Sequence, residues 1–381
     1  MSCYTSAGPS KDNYMKLATA LLALCIASPI AAQEAVWQPA KTWVFAVGVL
    51  AFADKKLATW PDEGRVDALM IDAYKKRGIA DDHIVFIKNK DATKDNLVTK
   101  FAEHLAKAGP EDTFIFYYAG HGGRNLQDDA RPVCLIPYDT SNKKNANWEL
   151  SEVFTAIDKN FKGAQVLLTA DCCHSGQLAL DAAKHSARIS YGALTSAHAS
   201  SRSTGNWTFT QCLVDMINGN PLLDGDNDGK VTFAEAASYC EAEMSFAEGQ
   251  LSCSATTGKF SAKTVMAEAS GKKAERVGER CEGLDEGKWW KVKILDAKDG
   301  KFFVTWLGWD KKFDCWVGTD RLRPFKPVLH EGGTVVEVEW DKKWYRAKVK
   351  YNKLGLHLVH YEGYPEADDE WVPPSRLRLP K

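Results

Sequence analysis

The chain predicts an α/β domain on a mostly parallel sheet, followed by two small all-β barrels. Three observations lead there. Apolar, β-rich runs alternate with helix-like segments over the first two thirds of the chain. Two of those runs, 113–118 and 164–170, break abruptly at small or polar residues, as buried parallel strands do. The last hundred residues repeat themselves at a fixed offset and are dense in tryptophan.

Taken in order, 43–49 reads as a first strand and 66–76 as a helix ended by Gly78. A second strand spans 83–88, and a helix over 93–107 ends at Gly109-Pro110. The strand 113–118 follows, then a helix at 150–160, the strand 164–170, a strand at 189–194 and a helix at 209–217. Strands joined through helices in this way pair in parallel, because the return crossing needs a connection of that length. The segment 177–188 between the last two strands reads as a loop carrying Lys184 and Arg188.

Ligands bind open α/β sheets in the crevice beyond the carboxyl ends of the strands. Two motifs fall there: Tyr117-Tyr118-Ala119-Gly120-His121-Gly122 and Asp171-Cys172-Cys173-His174-Ser175-Gly176. A thiol is largely protonated at neutral pH, so a cysteine nucleophile needs an imidazole to take its proton and later return it to the leaving amine. His121 precedes Cys173 by 52 positions (173 − 121), close to the spacing of about 50 found in caspases. The segment therefore resembles the caspase-like cysteine peptidases, and Asp-Cys-Cys-His-Ser-Gly is most similar to their metacaspase branch.

The resemblance implies a caspase-like three-layer α/β/α sandwich and a set of roles. Cys173 is the nucleophile and His121 the general base and acid. The backbone N–H groups of Gly122 and Cys173 form the oxyanion hole. Asp171, with Asp67, lines an acidic pocket for Lys or Arg before the scissile bond. Arg65, two positions before Asp67, offers the opposite selectivity, since caspases proper hold an aspartate with an arginine. Cutting of the 177–188 connection at a basic residue is the implied route of self-processing.

The loop 224–235 fits a twelve-residue calcium loop. Asp224, Asp226 and Asp228 alternate so that their carboxylates converge, Gly229 permits the turn, Lys230 offers its carbonyl and Glu235 can chelate with both oxygens. Helical flanks at 207–219 and 233–246 complete the pattern. Thr232 and Glu235 also form a capping box that starts the second helix without metal. Ca2+ binding and a purely structural turn are thus both open.

Beyond 267 a polar linker runs to 282, and eight of the thirteen tryptophans then lie between 289 and 371. Lys288-Trp289-Trp290-Lys291 matches Lys343-Trp344-Tyr345-Arg346, and Trp316-Val317 matches Trp371-Val372, always at an offset of 55 (344 − 289). Short alternating runs separated by turns read as bent antiparallel barrels at 283–326 and 330–381. They resemble Tudor and chromo-barrel modules of SH3-like shape. That resemblance implies ligand-binding aromatics at Trp306, Trp309 and Trp316 in the first unit and Tyr361, Tyr364 and Trp371 in the second, where cation–π attraction can hold a methylated lysine. Aromatics in so small a barrel also fill its core. A peptide, a cell-surface polymer or the preceding domain are the other ligands considered.

A net charge of −1 gives no reason to expect nucleic acid as an obligatory partner. At the N-terminus, Lys16 precedes the apolar run 17–26 and then Ser28-Pro29-Ile30-Ala31-Ala32, a signal peptide cleaved after Ala32 at residues 1–32. The run is short for a stable membrane span, although an uncleaved anchor is the alternative. Export makes disulfides admissible among the eight cysteines that remain, with no Cys-x-x-Cys spacing to suggest zinc or thioredoxin chemistry. The reading is an exported cysteine endopeptidase at 41–266, a linker at 267–282 and two barrels that target or regulate it. Its protein or peptide substrates would be cut after Lys or Arg, with calcium assisting. The alternative is an inactive scaffold whose barrels carry the binding.

Overall fold

The computed structural model describes residues 36–380 apart from 142 and 144. The segment 1–32, expected to be a signal peptide, lies outside the described residues. Among the described residues no helix is long and apolar enough to cross a membrane.

In chain order the first domain runs β1 (Thr42–Gly48), α1 (Val66–Lys76), β2 (Ile84–Lys88), α2 (Lys94–Lys107) and β3 (Thr113–Ala119). Three short strands follow, β4 (Gly122–Arg124), β5 (Val133–Leu135) and β6 (Trp148–Glu149), then α3 (Leu150–Asn160) and β7 (Gln165–Asp171). The domain closes with α4 (Gln177–Ala182), β8 (Ser190–Thr195), α5 (Thr208–Ile217), β9 (Lys230–Thr232), α6 (Phe233–Glu243), β10 (Cys253–Thr256) and β11 (Val265–Glu268). Six strands form one sheet in the order β10-β8-β7-β3-β1-β2, parallel except for β10.

Alternation along the central strands builds three layers. Phe45, Val47, Phe114, Phe116 and Tyr118 pack with α2, α3 and α4 on one face. Val44, Ala46, Ile115 and Tyr117 pack with α1, α5 and α6 on the other. Both faces are covered, which is why β1 is buried along its whole length and reads as a continuous apolar run.

Two features differ from the sequence expectation. The supposed loop 177–188 is mostly helical: α4 continues into a single 3-10 turn at Ala183–His185, Lys184 pairs with Asp181 at 2.8 Å, and the Arg188 guanidinium donates to the Gly163 carbonyl. The supposed linker is occupied at both ends, because 267–268 lie in β11 paired with β9, and the next strand begins at Arg280.

The repeat is structural. In the first barrel β12 (Arg280–Asp285), β13 (Lys288–Lys298), β14 (Lys301–Trp306), β15 (Cys315–Gly318) and β16 (Leu322–Pro324) form a five-stranded antiparallel sheet ordered β15-β14-β13-β12-β16. In the second, β17 (Val335–Trp340), β18 (Lys343–Lys353), β19 (Leu356–Tyr361), β20 (Glu370–Val372) and β21 (Leu377–Arg378) repeat that order as β20-β19-β18-β17-β21. Even the irregularity that bends the long strand recurs at the same offset, at Ile294/Asp296 and Val349/Tyr351. The chain is thus a caspase-like α/β domain followed by two Tudor-like barrels.

The barrels are docked on the first domain, which forms one compact unit with them. Glu243 at the end of α6 accepts from Arg280 and Lys293, each at 2.7 Å, and so anchors the first barrel. The second presses Leu356 and Trp371 against Leu251 and pairs Lys353 with Glu241 at 2.6 Å.

Candidate active site

β3 and β7 are adjacent and in register, with Ala119 opposite Asp171, so both motifs emerge at the same sheet edge. The turns beyond them touch. A Cβ added to Gly122 would lie 2.0 Å from the Cys173 carbonyl oxygen, so only glycine fits there. Gly120 has φ 149°, and a Cβ on it would meet the Tyr118 hydroxyl at 2.8 Å and the Val49 carbonyl at 2.9 Å. The Gly-His-Gly sequence is therefore dictated by close packing around His121.

His121 is held from three directions. Its Nε2 lies 2.9 Å from the Ala58 carbonyl, an acceptor, so this nitrogen carries the proton and Nδ1 is left with the lone pair. Its ring packs against Trp60 at 4.7 Å and Phe52 at 5.0 Å between centroids. Its backbone carbonyl accepts from the Tyr118 hydroxyl at 2.8 Å and from the Ile136 N–H at 3.1 Å. Ala58 and Trp60 went unread in the sequence, and Tyr118 was read only as part of a strand. Only the two aromatics of the 51–63 segment, Phe52 and Trp60, hinted that this loop returns to the site.

Cys173 opens a tight turn in which His174 adopts φ 60°. Its Sγ accepts from the Ser203 N–H at 3.2 Å and lies 3.8 Å from the Ser203 carbonyl. Burial pushes the thiol upward, opposed by the Ser203 contact and the charge of Arg202. Its own N–H donates to no carbonyl or carboxylate among the described residues, as an oxyanion donor requires. No hydrogen bond joins Cys173 to His121 in this state. The neighbouring Cys172 is buried under Tyr118, its thiol pushed well up by burial.

Asp171 ends β7 two residues before Cys173 and lines a small cavity of about 30 Å³ together with Leu50, Trp60, Gly120, Gly205 and Trp207. That volume holds two or three waters at about 10–15 Å³ each. The carboxylate accepts from Thr210 Oγ1 at 2.7 Å, and Thr210 in turn shares a 2.8 Å bond with the Tyr117 hydroxyl. Burial raises Asp171 to about 7 despite these bonds. Thr210 was another residue without a sequence signal.

The expected second acid does not join it. Asp67 is fully buried and accepts two bonds from Arg65, at 2.9 and 2.6 Å, while the same guanidinium donates to Asp62 at 2.6 Å and to the Gly48 carbonyl at 2.9 Å. An arginine so saturated cannot grip a substrate aspartate, and an acid so neutralised cannot attract a lysine. Both Asp67 and Arg65 leave the list of pocket residues for the same reason: they satisfy each other.

In the loop 224–235 the carboxylates of Asp224, Asp226 and Glu235 converge within 4.8 Å of one another, and Asp228 stands outside that group. Glu235 also makes the capping box, accepting from the Thr232 N–H at 2.9 Å, and from the Gly225 N–H at 2.8 Å. The Asp228 carboxylate accepts from the Lys230 N–H.

The barrel aromatics divide. Trp306 is buried in the first barrel's core, and Trp371 is buried against the first domain, so neither is open to a ligand. Trp309 and Trp316 are exposed, Trp309 packing edge-on against Trp290 at 5.2 Å. In the second barrel Tyr361 and Tyr364 lie 6.2 Å apart and are joined by Tyr345, a residue not singled out in the sequence. All eight cysteines of the described residues are free, so the admissible disulfides are not formed.

Strand order and layers define a caspase-like α/β domain that carries His121 and Cys173 on neighbouring turns. Residues 64–182 match the family described as metacaspase, peptidase C14 domain, and residues 275–324 match the Tudor-knot, described as an RNA binding activity-knot of a chromodomain. Among curated proteins, Inactive metacaspase-4 of Trypanosoma brucei brucei is 29% identical over 123 residues, covering 29% of this chain and 34% of that protein. The chain thus spans about a third of that relative's length. Among solved structures, caspase-1 from Spodoptera frugiperda is similar over 65% of this chain and 98% of its own, at 11% identity and TM-score 0.41. The ADCP1 tandem Agenet domain 3-4 is similar over 27% of this chain and 79% of its own, at 19% identity and TM-score 0.13.

Proposed function

We propose that the chain is a cysteine endopeptidase that cleaves proteins or peptides after Lys or Arg. The observation that carries this reading is the seating of His121, with Nε2–H committed to Ala58, and Cys173 on touching turns, the buried Asp171 two residues before the cysteine. His121 Nδ1 takes the thiol proton, and the sulfur attacks the scissile carbonyl carbon, forming a C–S bond as the π pair moves onto oxygen. The Cys173 and Gly122 N–H groups stabilise that oxyanion. Collapse breaks the C–N bond, the amine leaves with the proton from His121, and water then hydrolyses the thioester to restore the thiol. Because the free sulfur leans on Ser203, substrate entry has to turn it toward His121, and Trp60 has to yield for a long basic side chain to reach Asp171.

Hydrolysis of fluorogenic peptides ending in Arg, Lys or Asp, by wild type and Cys173→Ala, tests the reading. Cleavage after Arg and Lys that disappears in the variant is the expected result. Identical traces from the two proteins, or cleavage only after Asp, would sink it. A second reading, an inactive domain whose barrels carry the function, is favoured by the name of the Trypanosoma relative and by the missing Cys173–His121 hydrogen bond.

Two further parts belong to the proposal. Asp224, Asp226, Asp228, Glu235 and the Lys230 carbonyl would hold Ca2+, which supplies charge neutralisation between α5 and α6 rather than chemistry. Heat of calcium binding that vanishes in the Asp224→Ala, Glu235→Ala double variant is the expected calorimetric result. Export through residues 1–32 predicts a mature chain beginning at Gln33, read by N-terminal sequencing. The barrels are proposed to bind peptide partners.

A further inference from the structure

The loop that follows β8 has the catalytic turn on one side and the second barrel on the other. On the inner side the Ser203 N–H donates to Cys173 Sγ at 3.2 Å, and the His174 N–H donates to the Ser201 carbonyl at 2.9 Å. Gln250 ties the loop from below, donating to the Ser196 carbonyl at 2.8 Å and the Ser203 hydroxyl at 3.1 Å. On the outer side the Ser200 hydroxyl donates to the Asp369 carbonyl at 2.7 Å. There too the Arg202 guanidinium lies 4.1 Å from the centre of the Trp340 ring, with Asp341 at 3.5 Å. Trp340, Tyr345, Tyr361 and Tyr364 form the barrel's wall of a cavity of about 440 Å³ whose opposite wall includes His174 and Arg202. The aromatic face that could take a foreign cation thus already meets one from the same chain, a single residue away from the contact on the sulfur.

We propose that the second barrel positions the nucleophile: Trp340, by stacking on Arg202, holds the 198–204 loop so that the Ser203 N–H and the Arg202 charge stay on Cys173. Trp340 and Arg202 are positioning residues in this scheme, since neither touches the substrate bond. The proposal rests on the reading of Cys173 as nucleophile, but its physical content is the reactivity of one thiol.

The test is the rate at which iodoacetamide alkylates Cys173 in the full chain near neutral pH, followed by mass spectrometry of the peptide that contains it. A cation–π contact at an exposed site is worth about 0.5–1 kcal/mol, so Trp340→Ala is expected to slow alkylation about two- to fivefold. Trp340→Tyr, which keeps an aromatic face, should restore most of the rate. Arg202→Gln, at a side chain that is 56% exposed and so harmless to folding, should slow it at least as much. If Trp340 acts through Arg202, the double variant is no slower than the slower single one. Multiplying losses, unchanged single-variant rates or faster alkylation in Trp340→Ala would each overturn the proposal. Absence of peptide hydrolysis by the wild type, with this pattern of alkylation intact, would remove the peptidase reading and leave the positioning role standing.

Discussion

At the scale of single residues, Asp171 carries opposite demands of stability and function. Its carboxyl, raised to about 7 by burial, is neutral in much of the folded population below that pH and is forced to ionise above it. A group with a raised folded pKa contributes stability that is full below its unfolded value, near 4, and lost as pH rises through about 7. Ionisation at pH 8 therefore costs up to about 4 kcal/mol, and Asp171→Asn is expected to raise the melting temperature at pH 8 more than at pH 5. The same variant should lose cleavage after Arg, and wild-type kcat/KM for Arg peptides should climb with an apparent pKa near 7. A melting temperature shift equal at the two pH values would show that the carboxyl does not titrate there. Gly122→Ala should abolish alkylation of Cys173 or folding itself, because nothing can move aside for a Cβ 2.0 Å from a main-chain oxygen. His121 and Cys173 were expected as a pair from order, spacing and strand context, and the structure puts them on touching turns. Ala58 was not expected, because a backbone carbonyl contributes no residue type to read.

At the scale of elements, the strands and helices of the first domain stand close to where periodicity and punctuation put them, since long buried runs and glycine stops are strong local signals. The segment after Cys173 was misread because α4 is only six residues long: Leu178, Ala179 and Ala182 are buried at helical spacing, but so short a stripe is a weak local signal and is held by tertiary packing. Asp67 was misread for a related reason: whether an acid faces a cleft or an arginine two positions away depends on the turn into α1, not on composition. The helix α6 offers a clean test of its start. Thr232 accepts from the Glu235 N–H at 3.3 Å while Glu235 reaches back to the Thr232 N–H. Thr232→Ala should therefore cost about 1 kcal/mol by chemical denaturation without calcium. No loss at all would mean that the loop 224–235 is held by something other than its cap.

At the scale of the whole molecule, the polar stretch before Arg280 looked like a tether and instead joins docked bodies. Glu243 receives two cations from the first barrel, and Lys353 reaches Glu241 from the second. Cutting the exposed 270–275 stretch with a protease is expected to leave both pieces together on gel filtration, whereas separation at moderate salt would show that the contacts are too weak to dock them. The internal repeat was readable because every element recurs at one offset, but the uses to which the copies are put were not. Position 340 is tryptophan in the second copy and its counterpart, 55 positions earlier, is Asp285. Asp285 is occupied by Arg321 of its own unit at 3.0 Å. Arg376, the twin of Arg321, still lies 5.6 Å from the centre of the Trp340 ring, so duplication has kept the inward contact and added an outward one to Arg202. Grafting the earlier module into the later slot should accordingly rebuild the shape and forfeit the partnership.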